Sequence, residues 1–142
     1  MREIKFRCWF DNHMFKVVDI DFSYKRINLV GADIISFKDG ILMQYTGLND
    51  KNEKEIYEKD IIRYLNNKGY YEYCIVHYSG GAFRLAEIYE SRTLLNYEAR
   101  GYRYENSLCR RLSSKFRKHT EEFEVIGNVY ETPEFLDVKY II

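Results

Sequence analysis

The chain has 142 residues, with 22 basic and 22 acidic side chains, so its formal net charge is zero. That balance argues against general attachment to nucleic acid or to an anionic membrane, since such binding is dominated by charge neutralisation. Length suits one domain or two very small ones sharing a core, and 46% hydrophobic with 31% charged residues is a globular composition, not a disordered one.

Tyr 14, Phe 9 and Trp 1 against a single proline favour strands. No apolar run approaches the roughly 18 residues of a membrane span. The stretch Met1–Phe10 alternates charged and aromatic residues and has no apolar segment of the signal-peptide kind. Cys8, Cys74 and Cys109 are isolated and odd in number, which fits a reducing cytoplasm without a disulfide framework or a CxxC metal site.

In chain order, Ile4, Phe6, Cys8 and Phe10 share one parity, the period-two pattern of a half-buried strand. Lys16 to Phe22 repeats it, with Val18, Ile20 and Phe22 on one face and Asp19 and Asp21 on the other; Asp11-Asn12-His13 between them reads as a turn. Tyr24 to Ile35 is ambiguous. Ile41 to Tyr45 is a strand after the turn signal Asp39-Gly40. Asn49 to Glu53 is a polar loop, Asp60 to Leu65 a strand, and Asn66-Asn67-Lys68-Gly69 a turn. Glu72 to Tyr78 and Ala82 to Ile88 flank Ser79-Gly80-Gly81 as a hairpin.

Tyr89 to Tyr104 has no clear period. Leu108, Leu112 and Phe116 then recur every four residues behind Asn106 or Ser107 as an N-cap, which predicts one short helix near residues 106–117. Phe123 to Tyr130 is the last strand, and Thr132-Pro133-Glu134 opens a single helical turn.

Gln44-Tyr45-Thr46-Gly47-Leu48-Asn49-Asp50-Lys51-Asn52, continuing through Lys54-Glu55-Ile56-Tyr57-Glu58 to Asp60-Ile61-Ile62, resembles the hallmark of the YopX family of phages and prophages. Arg2-Glu3-Ile4-Lys5-Phe6-Arg7 with Trp9 resembles the family's opening. Glu124-Val125-Ile126-Gly127-Asn128-Val129-Tyr130-Glu131 with Pro133 resembles its close. Glu53 and Lys59 depart from the pattern, standing where the family commonly has glycine, a residue that takes positive φ at little cost.

The resemblance implies an N-terminal β segment over residues 1–45 and an SH3-like small barrel over residues 46–142; with the helix read from the period near residues 106–117, the expected fold is mostly β with minor α. The meander of strands from Asp60 to Ile88, closed by Phe123–Tyr130, supports the same barrel from the residues alone. The resemblance brings no activity, cofactor or site residue with it.

Catalysis finds little support. His13, His77 and His119 are too far apart for a metal site. Cys74 and His77, three apart on a strand, point to opposite faces, which is wrong for a nucleophile and its base. Glu55, Glu58 and Asp60 offer oxygen ligands for a divalent metal, but carboxylates beside a turn more often accept backbone amides. Gly80-Gly81 lacks the following Lys-Ser/Thr of a phosphate loop. The expectation is a non-enzymatic protein without cofactor or metal.

Charge is segregated along the chain. From Arg100 to His119 seven basic residues face Glu105 alone, a net of +6, whereas Thr120 to Ile142 carries a net of −5. Arg103, Arg110, Arg111, Lys115 and Arg117, with Tyr102 and Tyr104 beside them, are the candidate contact residues, since guanidinium groups grip phosphate and aromatic faces stack bases. The bland alternative is a solvated helix face paired with Glu121, Glu122 and Glu124.

The tyrosine excess points elsewhere. Tyr70, Tyr71, Tyr73, Tyr78, Tyr89, Tyr97, Tyr102 and Tyr104 cannot all be interior to so small a domain, and interfaces are enriched in tyrosine. A homo-oligomer, or a phage or host protein partner, is expected first; nucleic acid bound by the basic region is the alternative.

Overall fold

The computed structural model describes residues 3–65, 69–88, 102–107 and 123–136. It is built of strands: β1 Phe6–Phe10, β2 His13–Asp21, β3 Arg26–Leu29, β4 Ile34–Ser36, β5 Ile41–Asn49, β6 Glu55–Tyr57, β7 Asp60–Leu65, β8 Tyr71–Ser79, β9 Ala82–Ile88, β10 Tyr102–Ser107 and β11 Glu124–Asn128. One 3₁₀ turn, Pro133–Leu136, follows. The strands form two antiparallel sheets, ordered β4-β3-β2-β1-β5-β6 and β10-β9-β8-β7-β11. The mostly-β expectation holds. Among the described residues the recorded pairings leave β10 and β11 as the two edges of the second sheet.

Two hairpins follow directly from turn chemistry. Asp11 and Asn12 both take positive φ, 49° and 59°, between the paired residues Phe10 and His13. Asp and Asn tolerate that region, so the two-residue turn matches the strand twist. Gly80 and Gly81, φ 57° and 77°, do the same between Ser79 and Ala82.

The first sheet buries Cys8, Ile27, Leu29 and Ile35 together with Phe10, Phe15, Val17 and Leu42. Here the expected face of β2 is corrected. The β2–β3 register shifts between Val17 and Asp19, so Val18 is bulged out and 59% exposed. The bulge lets Val17 pair with Leu29 and Ile20 with Ile27, although simple alternation puts 17 and 20 on opposite faces. Phe22, read from the sequence as a partner of Val18 and Ile20, lies past the strand end and is 75% exposed.

The second sheet is apolar on both faces. Ile62, Tyr64, Cys74, Val76, Phe83, Leu85, Phe123 and Val125 pack with Ile56 of β6 and with Leu48. Ile61, Ile75 and Ile88 pack on the other face with Tyr73, Ile126, Val129, Phe135 and Leu136. Double burial explains the unbroken apolar runs Ile61-Ile62 and Cys74-Ile75-Val76, because neither face needs a polar residue there. Ile56 belongs to one sheet and its neighbours to the other, so the β5–β6 arm joins the two.

Asn106 and Ser107, expected as helix caps, instead complete β10, which pairs with β9. The rest of the expected helix, residues 108–117, lies outside the described residues. No helix among the described residues is long and apolar enough to cross a membrane.

Candidate interaction surface

The hallmark segment is consumed by architecture. Asp50 is buried and its carboxylate accepts three backbone amides: Oδ1 from Asn52 (2.8 Å) and Lys54 (2.9 Å), Oδ2 from Val125 (2.9 Å) on β11. The Lys51 amide donates to the Phe123 carbonyl at 2.9 Å beside it. Thr46 Oγ1 donates to the Ile56 carbonyl at 2.8 Å and accepts the Leu48 amide at 3.2 Å, bracing the turn in β5 where Gly47 has φ 85°.

The closing segment behaves alike. Asn128 Oδ1 accepts the amides of Tyr130 and Glu131, and its Nδ2 donates to Glu131 Oε1. Thr132 Oγ1 accepts the Asn128 amide and donates to the Asn128 carbonyl, both at 2.9 Å. A Cβ on Gly127 would collide with that hydroxyl, so only glycine fits there.

The acidic set also serves the fold. Asp60 is buried; Oδ1 accepts Arg7 Nη2 at 2.7 Å and Oδ2 accepts the Tyr57 amide at 2.7 Å. Burial pushes its carboxyl up against the pull of Arg7. Glu55 pairs with Lys5, and Lys5 also lies 4.8 Å from the Tyr45 ring centre. Burial raises the Glu58 carboxyl, opposed by the Gln44 backbone, Lys59 and Arg7. Among the described residues no three His, Cys, Asp or Glu side chains are grouped to hold a metal ion. Cys74 and Val76 enter the inter-sheet core. His77, three residues on, projects from the opposite face of β8, and burial holds its imidazole below the usual range.

Exposed apolar side chains occur on both sheets. On the second sheet, Leu65 and Tyr71 are an exposed cross-strand pair beside Tyr70, and Tyr78 is exposed at the far end of β8, on its opposite face. Arg63 lies over the Tyr71 ring at 4.8 Å and donates to Glu124 Oε2 at 2.8 Å; Lys51 is 3.3 Å from the same oxygen. That hydrogen bond from Arg63 holds Glu124 below the usual carboxylate range. Of the eight tyrosines that could not all be interior, Tyr73 packs against Ile61, Ile75 and Ile88.

The other group lies at the outer end of the first sheet, where Val18, Phe22, Tyr24, Val30 and Ile34 are all at least half exposed. Arg26 lies 5.3 Å from the Tyr24 ring centre, and Phe22 meets Phe37 edge-on at 6.0 Å. A groove of about 320 Å³ runs along the edge strand, lined by Tyr24, Lys25, Arg26, Ile34, Ile35 and Ser36. The sequence reading missed this surface because Tyr24–Ile35 shows no clean period. The adjacency Tyr24-Lys25-Arg26, aromatic beside two cations, was its one visible signal.

Of the contact residues expected from sequence, Tyr102, Arg103 and Tyr104 lie in β10, at the edge of the second sheet, where they pair with Ile88, Glu87 and Ala86. Arg110, Arg111, Lys115 and Arg117 lie outside the described residues.

The family profile described as YopX protein matches residues 5–137. The chain belongs to the YopX family. A solved structure, that of protein EF1440 from Enterococcus faecalis, is similar to it with a TM-score of 0.56 and 23% identity, covering 96% of this chain and 100% of that one. At that identity the likeness is one of fold. No curated protein matches the chain.

Membership gives meaning to the two departures from the YopX pattern. Glu53 and Lys59 both hold positive φ, 63° and 68°, so the glycine-type turns are kept and the side chains accept the strain. Neighbouring bonds over-determine both turns: the Glu53 amide donates to the Asp50 carbonyl, the Lys59 amide to the Val76 carbonyl, and the Lys59 carbonyl accepts the Val129 amide.

Proposed function

We propose that this YopX chain is a phage or prophage accessory protein that acts by binding, through a protein partner or self-assembly, and not by catalysis. One observation carries the reading. The polar residues that make the sequence distinctive hold turns and join the sheets, whereas exposed aromatic and aliphatic side chains collect at the outer end of the first sheet and around Leu65 and Tyr71 on the second. Contiguous exposed apolar patches on a small domain mark interaction sites. Tyrosine suits such sites because its ring is apolar and its hydroxyl polar.

Capture from infected host cells, with and without nuclease, tests it. The binding reading requires a partner, or further copies of the chain, retained after nuclease and lost from a Leu65→Glu/Tyr71→Glu variant or from an Ile34→Lys variant. Retention of nothing by the folded wild-type chain would end it.

A second reading, a nucleic-acid-binding regulator, is supported by the net +6 between Arg100 and His119. It requires salt-sensitive binding to DNA or RNA that Arg110→Glu with Arg111→Glu abolishes.

A further inference from the structure

We infer that β4 is a self-pairing edge: two copies of the chain join antiparallel about Ile35, and each inserts Ile34 into the other's groove. This deepens the binding reading above and rests on it.

The geometry begins with backbone parity. The Phe37 amide donates to the Lys25 carbonyl at 3.0 Å, which makes Lys25 and Phe37 a hydrogen-bonded pair. Pairing continues as Arg26 with Ser36, Ile27 with Ile35 and Asn28 with Ile34. Hydrogen-bonded and open pairs alternate along an antiparallel ladder. Ile35 therefore bonds inward to β3, while the backbone groups of Ile34 and Ser36 turn to the outer edge. The Ser36 carbonyl also receives the Asp39 amide at 3.0 Å and keeps a second lone pair.

Among the described residues β4 is the last strand of its sheet, and Ile34-Ile35-Ser36 carries no charge or proline to blunt it. Its length of three residues allows only a short ladder, so side chains must supply most of the contact.

A second copy supplies them. In an antiparallel pair centred on Ile35, Ile34 of one chain lies opposite Ser36 of the other and exchanges backbone bonds with it. Ser36 lies beside Arg26, and both line the groove with Tyr24. The 59% exposed Ile34 thus meets a recess of about 320 Å³ of mixed character, where the Tyr24 ring and the aliphatic stems of Lys25 and Arg26 offer it apolar contact. Because the operation is two-fold, the contact is made twice.

Charge selects the same partner. Asp33 precedes β4, while Lys25 lies across from Phe37 just beyond its other end. The two-fold pairing places Asp33 opposite Phe37 of the other copy, one strand away from that copy's Lys25. The acidic end of each edge meets the basic end of the other, twice per dimer. A foreign strand has no reason to carry that match; an identical one carries it necessarily.

Sedimentation of the full chain across micromolar concentrations tests the inference. The wild-type chain is expected as a dimer. Ile34→Lys removes an apolar anchor counted twice by symmetry and should weaken dimerisation about a hundredfold, with its circular dichroism unchanged and its melting no longer dependent on concentration. Asp33→Lys and Lys25→Asp should each weaken it, and the double swap should restore it; aspartate tolerates the positive φ of residue 25.

A wild-type monomer at every concentration overturns the inference, as does a dimer indifferent to Ile34→Lys or a double swap that restores nothing. Those outcomes leave the broader binding reading standing if nuclease-resistant capture succeeds through the tyrosine surface. That reading falls only if the capture fails as well.

Discussion

Glu58 shows how one partly buried carboxyl sets a pH dependence. Burial raises its pKa, outweighing the Gln44 backbone, Lys59 and Arg7. The folded chain therefore holds this proton more tightly than the unfolded one. Stability from the group is complete below the ordinary glutamate range and declines as pH rises through the raised value. Glu58→Gln keeps the shape and removes the charge. Melting at several pH values should show the variant more stable than wild type at pH 7, equal to it in acid, and flatter between. Gly127 makes a steric counterpart. A methyl there strikes Thr132 Oγ1, which brackets both backbone groups of Asn128. Gly127→Ala should cost about 1–3 kcal/mol in denaturant unfolding, the usual range for overpacking. Adding Thr132→Ala should return the steric part only, since the two hydrogen bonds go with the hydroxyl.

At the scale of elements, the two positive-φ departures from the YopX pattern yield a stabilising prediction. An L-residue in the left-handed region costs roughly 1–2 kcal/mol, and glycine's extra unfolded-state freedom costs roughly 0.5–1. Glu53→Gly and Lys59→Gly should each gain about 0.5 kcal/mol in chemical denaturation. Lys59→Val, β-branched at φ 68°, should lose more than either gains. Turns of this kind were legible in the sequence because their chemistry is local. Asp11-Asn12 and Gly80-Gly81 each specify a two-residue connection without help from the rest of the chain. The strands β1, β5, β7, β8, β9 and β11 were legible too, from apolar period and bounding turns. The bulge at Val18 was not, because a bulge is a property of two strands and period-two counting sees one. The brevity of β3 and β4 hid the outer end of the first sheet for the same reason. The candidate surface was half visible: Tyr70, Tyr71 and Tyr78 stood out as too many tyrosines for one core, whereas Ile34 and Val18 look like core residues until a register is known.

At the scale of the molecule, the question is whether the two sheets stand or fall together. Arg7 of β1 reaches Asp60 of β7 across the junction, with side chains only 12% and 2% exposed. Arg7 also donates to the Glu58 carbonyl at 3.1 Å and lies over the Tyr57 ring at 4.7 Å. Trp9 stacks on Tyr130 at 5.6 Å in the same junction, and it is the chain's single tryptophan. Removing one member of a buried ion pair leaves the other uncompensated, whereas removing both spares most of that penalty. Asp60→Ala should therefore cost about 3–5 kcal/mol, and Arg7→Met/Asp60→Ala clearly less than the two single changes summed. Trp9 fluorescence reports the junction directly, while amide exchange in β8 reports the interior of the second sheet. If Asp50, Ile56 and Arg7 bind the sheets into one cooperative unit, Asp60→Ala must lower both by the same free energy. A loss of the tryptophan signal at low denaturant, with β8 amides still protected as in wild type, would mean that the junction opens alone and that the sheets are separately stable.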